Sequence, residues 1–197
     1  MQVTTDLVKE LRERTGAPMM DCKRALVESE GNLDTAVDFL RKQGMATAAR
    51  KAGRHASEGV VGSYIHAGGQ IGVLIEINCE TDFVARTDDF QALVKDVAMH
   101  VAAADPRFVG RDEVTEEILD QEREIYREQA LQTGKPENVL DRIVDGKMEK
   151  FFAETVLLEQ PFVKNPDLTV QEMVAEKIGK LGENIQIRRF SRFRVGE

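Results

Sequence analysis

The chain is poor in cysteine, in positive charge and in unbroken apolar sequence, and each shortage excludes something. Cys22 and Cys79 are the only cysteines among 197 residues. Two cannot build a disulfide framework, which fits a reducing compartment. Acidic residues outnumber basic ones 35 to 27 and the formal net charge is -8. The basic footprint of a general nucleic-acid binder is therefore missing, and direct contact with DNA is not expected. No apolar run is long enough to span a bilayer, and the opening "MQVTTDLVKELRERTG" carries no signal-type apolar region. The expectation is a cytoplasmic protein away from membranes. There is no GxxxxGK[ST] phosphate loop, so this chain is not expected to bind nucleotide itself. Glu80, Asp82, Asp88 and Asp89 cluster without the alternating ligands and Gly of a calcium loop. His55, His66 and His100 are scattered, so neither a metal nor a cofactor is expected. Internal repeats and low-complexity segments are also absent.

What is present suits one ordinary domain, or a core with a small satellite. Hydrophobic residues make up 42% and charged residues 31%, a composition able to bury a core. Residues 1–44 read as three short helices. Leu7 and Leu11 share a face of the first, with Gly16 as its stop. Pro18 opens a second that carries Cys22, Ala25 and Leu26. Asn32 or Asp34 can cap a third, with Leu33, Ala36, Val37 and Leu40 inward and Gly44 behind it. Residues 45–57, "MATAARKAGRHAS", are Ala-rich and basic, which favours a helical linker. From 58 to 197 an α+β core is expected. "GVVGSYIH" and "QIGVLIEIN" flank Ala67-Gly68-Gly69 as a hairpin, Ile71, Val73, Ile75 and Ile77 alternating onto one face. "NIQIRRFSRFRV" alternates again, with Arg188, Arg192 and Arg194 opposite in parity to Ile185 and Ile187. The fold class is thus α+β, with a three-stranded antiparallel sheet covered by helices on one face. One covering helix carries the stripe Phe90, Leu93, Val94, Val97, Val101 and Ala102, ending before Pro106. The charged stretch 112–160 can project as a helical hairpin. Thr115 caps its first helix, which Gly134 and Pro136 close, and Gly146 divides the remainder. Thr169 to Glu172 form a capping box, and Gly182 ends the helix it opens.

Four features compete for a function. Cys79 could serve as a nucleophile with His66 or His100 as base, but no Gly-rich turn beside it builds an oxyanion hole, so a small residue at a strand end is the simpler reading. Arg41, Lys42, Arg50, Lys51, Arg54 and the last strand's arginines could contact RNA phosphates, although a solvated or acid-paired surface suits the negative total better. Met19 and Met20 either fill the small core or offer an adaptable contact. Phe83 sits at a strand-to-helix turn, within Thr81-Asp82-Phe83-Val84, where Gly, Asn or Ser is usual. It either folds under its own sheet or is held out as an anchor.

The stretches "LVKELRERTGAPMMDCKRAL", "NCETDFVAR", "GKPENVLDRIVDGKMEKFFAE", "LEQPFVK" and "LGENIQIRRF", in this order along nearly the whole chain, resemble the bacterial translation elongation factor Ts family. The resemblance implies a guanine nucleotide exchange factor, without covalent chemistry, for the GTPase elongation factor Tu in its GDP-bound and nucleotide-free forms. It implies that residues 1–44 are a ubiquitin-associated-like module, with Met19 and Met20 contacting the partner. It implies that Thr81, Asp82, Phe83 and Val84 enter the partner and displace its bound magnesium, and that His100 belongs to a further contact segment. The chain resembles the family's short type, in which a noncovalent homodimer can stand in for a two-part core. Ser191 occupies the place of a cysteine that links some short members covalently.

Overall fold

The computed structural model describes residues 3–132 and 136–197. Three helices open the chain: α1 (Thr5–Thr15), α2 (Met19–Glu28) and α3 (Leu33–Lys51). Gly16, in the left-handed region, ends α1, and the Asn32 side chain accepts from the Thr35 N–H to cap α3. Val8, Leu11, Cys22, Ala25, Leu26 and Ala36 form a small core of their own. The expected break at Gly44 does not occur. α3 runs through it to Lys51, because α8 (Val170–Leu181) packs alongside and a Cβ at Gly44 would come 3.5 Å from the Ala175 carbonyl. Helix therefore covers residues 45–51 of the expected linker, and residues 53–57 are not helical.

The sheet is antiparallel in the order β1 (Glu58–Ile65), β2 (Ile71–Cys79), β5 (Ile185–Arg194). Val73, Ile75 and Ile77 are buried as their alternation requires, beneath α5 (Asp88–Ala104) and α8. α5 contributes Phe90, Leu93, Val94, Val97 and Val101 to this principal core. The strand glycine Gly62 marks the closest approach of sheet and helix: a Cβ there would lie 2.2 Å from Val94 Cγ1. A bulge where β5 passes Glu76 and Ile77 inverts the facing of the remaining strand residues. Arg192 consequently pairs with Val73 on the covered side, while Phe193 pairs with Gly72 on the open side.

Between α5 and α8 the chain forms a helical hairpin, α6 (Glu116–Leu131) and α7 (Glu137–Thr155). Val144, Met148, Phe151, Phe152, Val114 and Val156 give it a third hydrophobic cluster, joined by Ile118, Leu119 and Tyr126. Gly134 lies outside the described residues. Gly146 does not divide α7; the roughly 1 kcal/mol a mid-helix glycine costs is outweighed by the apolar residues packed on either side of it. At the hairpin's base the Arg111 guanidinium bridges Glu149 (2.6 Å) and Glu159 and lies 4.1 Å over the Phe152 ring. A short hairpin, β3 (Pro161–Phe162) with β4 (Asn165–Thr169), leads into α8. There the capping box of Thr169 and Glu172 forms in both directions and Gly182 closes the helix.

Gly62→Ala is expected to lower stability by about 1–3 kcal/mol through overpacking against Val94, read as a lower urea midpoint with an unchanged denaturant slope.

Candidate functional site: a presented aromatic turn

β2 ends at Cys79, and three residues later begins α4 (Asp82–Ala85), a single helical turn. Thr81 is its N-cap: the extended Thr81 backbone places Oγ1 to accept from the Val84 N–H at 3.3 Å. Ala85 is buried and Val84 packs against the principal core. Phe83 points the other way and is 84% exposed. The sequence left this ring undecided between core and surface, and the structure places it on the surface. Asp82 lies on the same exposed turn, with Arg86 one helical turn on at 2.9 Å.

The turn is mounted on groups distant in sequence. The Glu183 carboxylate accepts from the backbone N–H groups of Glu80 (3.1 Å) and Thr81 (3.0 Å), and from the Thr81 hydroxyl (2.6 Å). Glu80 reciprocates: its carboxylate accepts from the Asn184 N–H at 2.6 Å. The Asn184 amide donates in turn to the carbonyls of Ala52 and Arg54. Sequence reading missed Glu183 and Asn184 as site residues, although both lie in the "LGENIQIRRF" stretch. Nothing local signals a bond across a hundred residues.

Of the four clustered acids, Glu80, Asp82 and Asp89 are occupied by protein donors. Asp89 accepts from Lys177 (3.2 Å) and Lys180 (2.7 Å), the latter chiefly holding its carboxyl below the usual range. Among the described residues no three His, Cys, Asp or Glu gather as a metal site. Cys79 is wholly buried, its S–H donating to the Thr81 carbonyl at 3.1 Å. Burial, and then the Glu183 charge, push its thiol up to about 11. A thiol so held is a poor nucleophile at neutral pH. Three of the last strand's four arginines are likewise engaged: Arg189 with Glu76 at 2.7 Å, Arg194 with Glu197, and the nearly buried Arg192 with Asp105 and the Ala102 carbonyl.

Met19 and Met20, at the start of α2, are 42% and 72% exposed. Both therefore lie outside the small helical core, available for contact. His100 is different. It is fully buried, so its ring cannot itself meet a partner in this conformation. The Val163 N–H donates to Nδ1 (3.2 Å), which leaves the proton on Nε2 facing Gln160 Oε1 at 2.9 Å. Gln160 also donates to the Glu154 carbonyl, so His100 ties α5 to the segment joining α7 and β3. A second exposed surface is the open face of the sheet, where Val61, Ile65, Leu74, Phe193 and Val195 stand in solvent. No helix among the described residues is long and apolar enough to cross a membrane.

Set beside known proteins, the family model described as Elongation factor TS matches residues 2–197. A protein named Elongation factor Ts from Carboxydothermus hydrogenoformans is 60% identical over 195 residues, covering 99% of this chain and 90% of its own length. Its counterpart from Geobacter sulfurreducens is 60% identical over 197 residues, 100% of this chain and 91% of that protein. That from Caldanaerobacter subterraneus subsp. tengcongensis is 56% identical over 195 residues and is covered over 98% of its length.

Burial of His100 makes stability depend on pH. Desolvation lowers its pKa from the ordinary 6.5, with the Gln160 hydrogen bond pulling the other way. The unfolded chain protonates this histidine at higher pH than the folded one. Its contribution is therefore intact above about pH 6.5 and lost as pH falls below it, by up to about 1.4 kcal/mol per pH unit. Urea midpoints between pH 7.5 and 5.5 should fall for the wild type, and the part due to His100 should vanish in His100→Gln.

Proposed function

The chain belongs to the elongation factor Ts family, and from that premise we propose that it is the guanine nucleotide exchange factor for elongation factor Tu. The observation that carries the reading is Phe83, a large aromatic held in solvent on a capped, rigidly mounted turn. Leaving a phenylalanine in water forgoes about 1.5–3 kcal/mol of burial, which a sequence optimised only for folding would recover. A partner that accepts the ring supplies the missing burial.

Exchange requires no bond to be made or broken by this chain. The partner holds GDP through a magnesium ion bridging phosphates to protein and through backbone donors around them. Phe83 enters between packed elements of the GTPase, which switch between discrete arrangements. The arriving turn displaces the partner's magnesium. Asp82 brings a carboxylate close to the phosphates, where it disfavours an anionic nucleotide, and Thr81 keeps the turn closed. Val84 serves from within, fixing the turn to the core while Phe83 points out. Met19 and Met20 dock the N-terminal helices, a ubiquitin-associated-like module in this reading, on the GTPase. His100 acts as an internal strut holding the α5 segment to the strand that follows α7. Coupling is reciprocal: the factor by which this protein weakens GDP equals the factor by which GDP weakens it. GTP, followed by aminoacyl-tRNA, then releases it, in keeping with a cytoplasmic cycle.

A noncovalent homodimer fits the open face of the sheet. Phe193 and Ile65 flank Gly72 there, and Leu74 lies between Ser63 and Ser191. The Glu76–Arg189 pair borders the patch, and a two-fold axis would present the same residues from both copies. With Ser191 on this face, such a dimer forms without a covalent link. Sedimentation should report dimer for the wild type and monomer for Leu74→Glu combined with Phe193→Glu; a monomeric wild type at micromolar concentration rejects it.

Phe83→Ala should keep the fold and most of the affinity but slow fluorescent GDP release from elongation factor Tu on the order of tenfold, about 1.4 kcal/mol of barrier. Met19→Ala with Met20→Ala should do the reverse, weakening association by about 1–3 kcal/mol with the saturated release rate little changed. Stopped-flow titration separates the two, and an unchanged release rate for Phe83→Ala would reject the wedge.

A further inference from the structure

The geometry points to Glu183 as a positioning residue that sets the working shape of the Thr81–Val84 turn, an inference that rests on the exchange reading for its functional consequence. Glu183 lies in the connection between α8 and β5, immediately after the capping Gly182. β5 pairs directly with β2, Ile185 opposite Cys79, which brings Glu183 beside the end of β2. One carboxylate oxygen, Oε2, takes the N–H groups of both Glu80 and Thr81, while Oε1 takes the Thr81 hydroxyl proton.

The last bond decides how the turn is capped. A threonine hydroxyl has one proton and two lone pairs. With its proton committed to Glu183, the Thr81 oxygen has only lone pairs to offer, and one of them receives the Val84 N–H. The Thr81 carbonyl is also used, accepting from the Cys79 thiol and the Ala85 N–H. Every polar group of Thr81, the N-cap of α4, is thereby engaged. Phe83 needs this. It belongs to none of the three hydrophobic clusters, so its direction is set by the backbone beneath it. Glu80, returning a bond to the Asn184 N–H, clasps the two segments in the opposite sense.

The arrangement specifies a carboxylate. Three donors converge on two oxygens, and an amide offers only one acceptor. In Glu183→Gln, either the paired backbone N–H groups or the Thr81 hydroxyl must face an NH2. If the hydroxyl does, it turns round and its proton has lost its acceptor. The core beneath is untouched, since Glu183 makes no part of it.

The test uses the full chain. In native-state hydrogen exchange, Glu183→Gln should speed exchange at the Thr81 and Val84 amides about tenfold or more, while the β2 amides of Val73 to Ile77 keep wild-type protection. With elongation factor Tu, the saturated GDP release rate should fall about fivefold and the half-saturating concentration change less than about twofold. A global loss of stability would instead move all the amides together. Glu80→Gln, which should weaken the same clasp from its other side, is expected to give a smaller shift in the same direction. Wild-type protection at Thr81 and Val84 in Glu183→Gln would overturn the proposal. So would a wild-type release rate in that variant when Phe83→Ala is slow. If Phe83→Ala itself releases GDP normally, the wedge role of Phe83 falls; if the wild type does not speed GDP release at all, the exchange reading falls; in either case hydrogen exchange still decides whether Glu183 holds the turn.

Discussion

Everything this molecule presents depends on the burial of the sheet's inner face beneath α5 and α8. Val73, Ile75 and Ile77 are enclosed by Phe90, Leu93, Val97 and Val101, and the interior so formed is close-packed enough that a single methyl group at Gly62 would collide with Val94. A platform of that density does not yield when a side chain at its margin is loaded. The exposed Phe83 ring stands on a single helical turn that is anchored at both ends, since Cys79 and Ala85 lie inside the core on either side of it. Rigidity in the core is thus converted into direction at the surface.

Much of this was legible because it is local. Helix stops at Gly16 and Gly182, the Asn32 cap and the capping box of Thr169 and Glu172 each depend on residues within one turn of each other. The alternation of β2 is equally local. The failures share a cause. Gly44 and Gly146 read as breaks, yet helix passes through both because α8 packs against one and an apolar cluster brackets the other. The bulge in β5 gave no local warning, and it moved Arg192 from an expected exposed row to a near-buried ion pair at the end of α5. Phe83 was ambiguous because alternation ends at Cys79; the clasp that resolves its direction joins residues 80–81 to 183–184. His100 sat on a plainly apolar helix, and its partners Gln160 and Val163 come from a segment too short and irregular to read.

The electrostatics follow a consistent pattern. Of the acids clustered near the turn, three meet a protein donor, Glu80 with Asn184, Asp82 with Arg86 and Asp89 with two lysines, and so does Glu183, with Thr81. Charge here is spent on shape. The same holds for Cys79, whose thiol donates a hydrogen bond from the core and, with its pKa pushed up to about 11, is a poor nucleophile at neutral pH.

The continuity of α3 has one more consequence. At about 1.5 Å per residue, its 19 residues make a bar about 28 Å long that starts among the N-terminal helices and lies along α8 in the core. Lys51, near its end, donates to the Gly182 carbonyl beside the Glu183 clasp. The exposed methionines and the exposed Phe83 are therefore carried on elements joined by one stiff bar. For a partner that receives both, contact at one confines the other to a small volume around its target, so its local concentration is fixed by the bar and not by the cell. A floppy tether would tolerate receiving sites at many spacings; a stiff bar selects one.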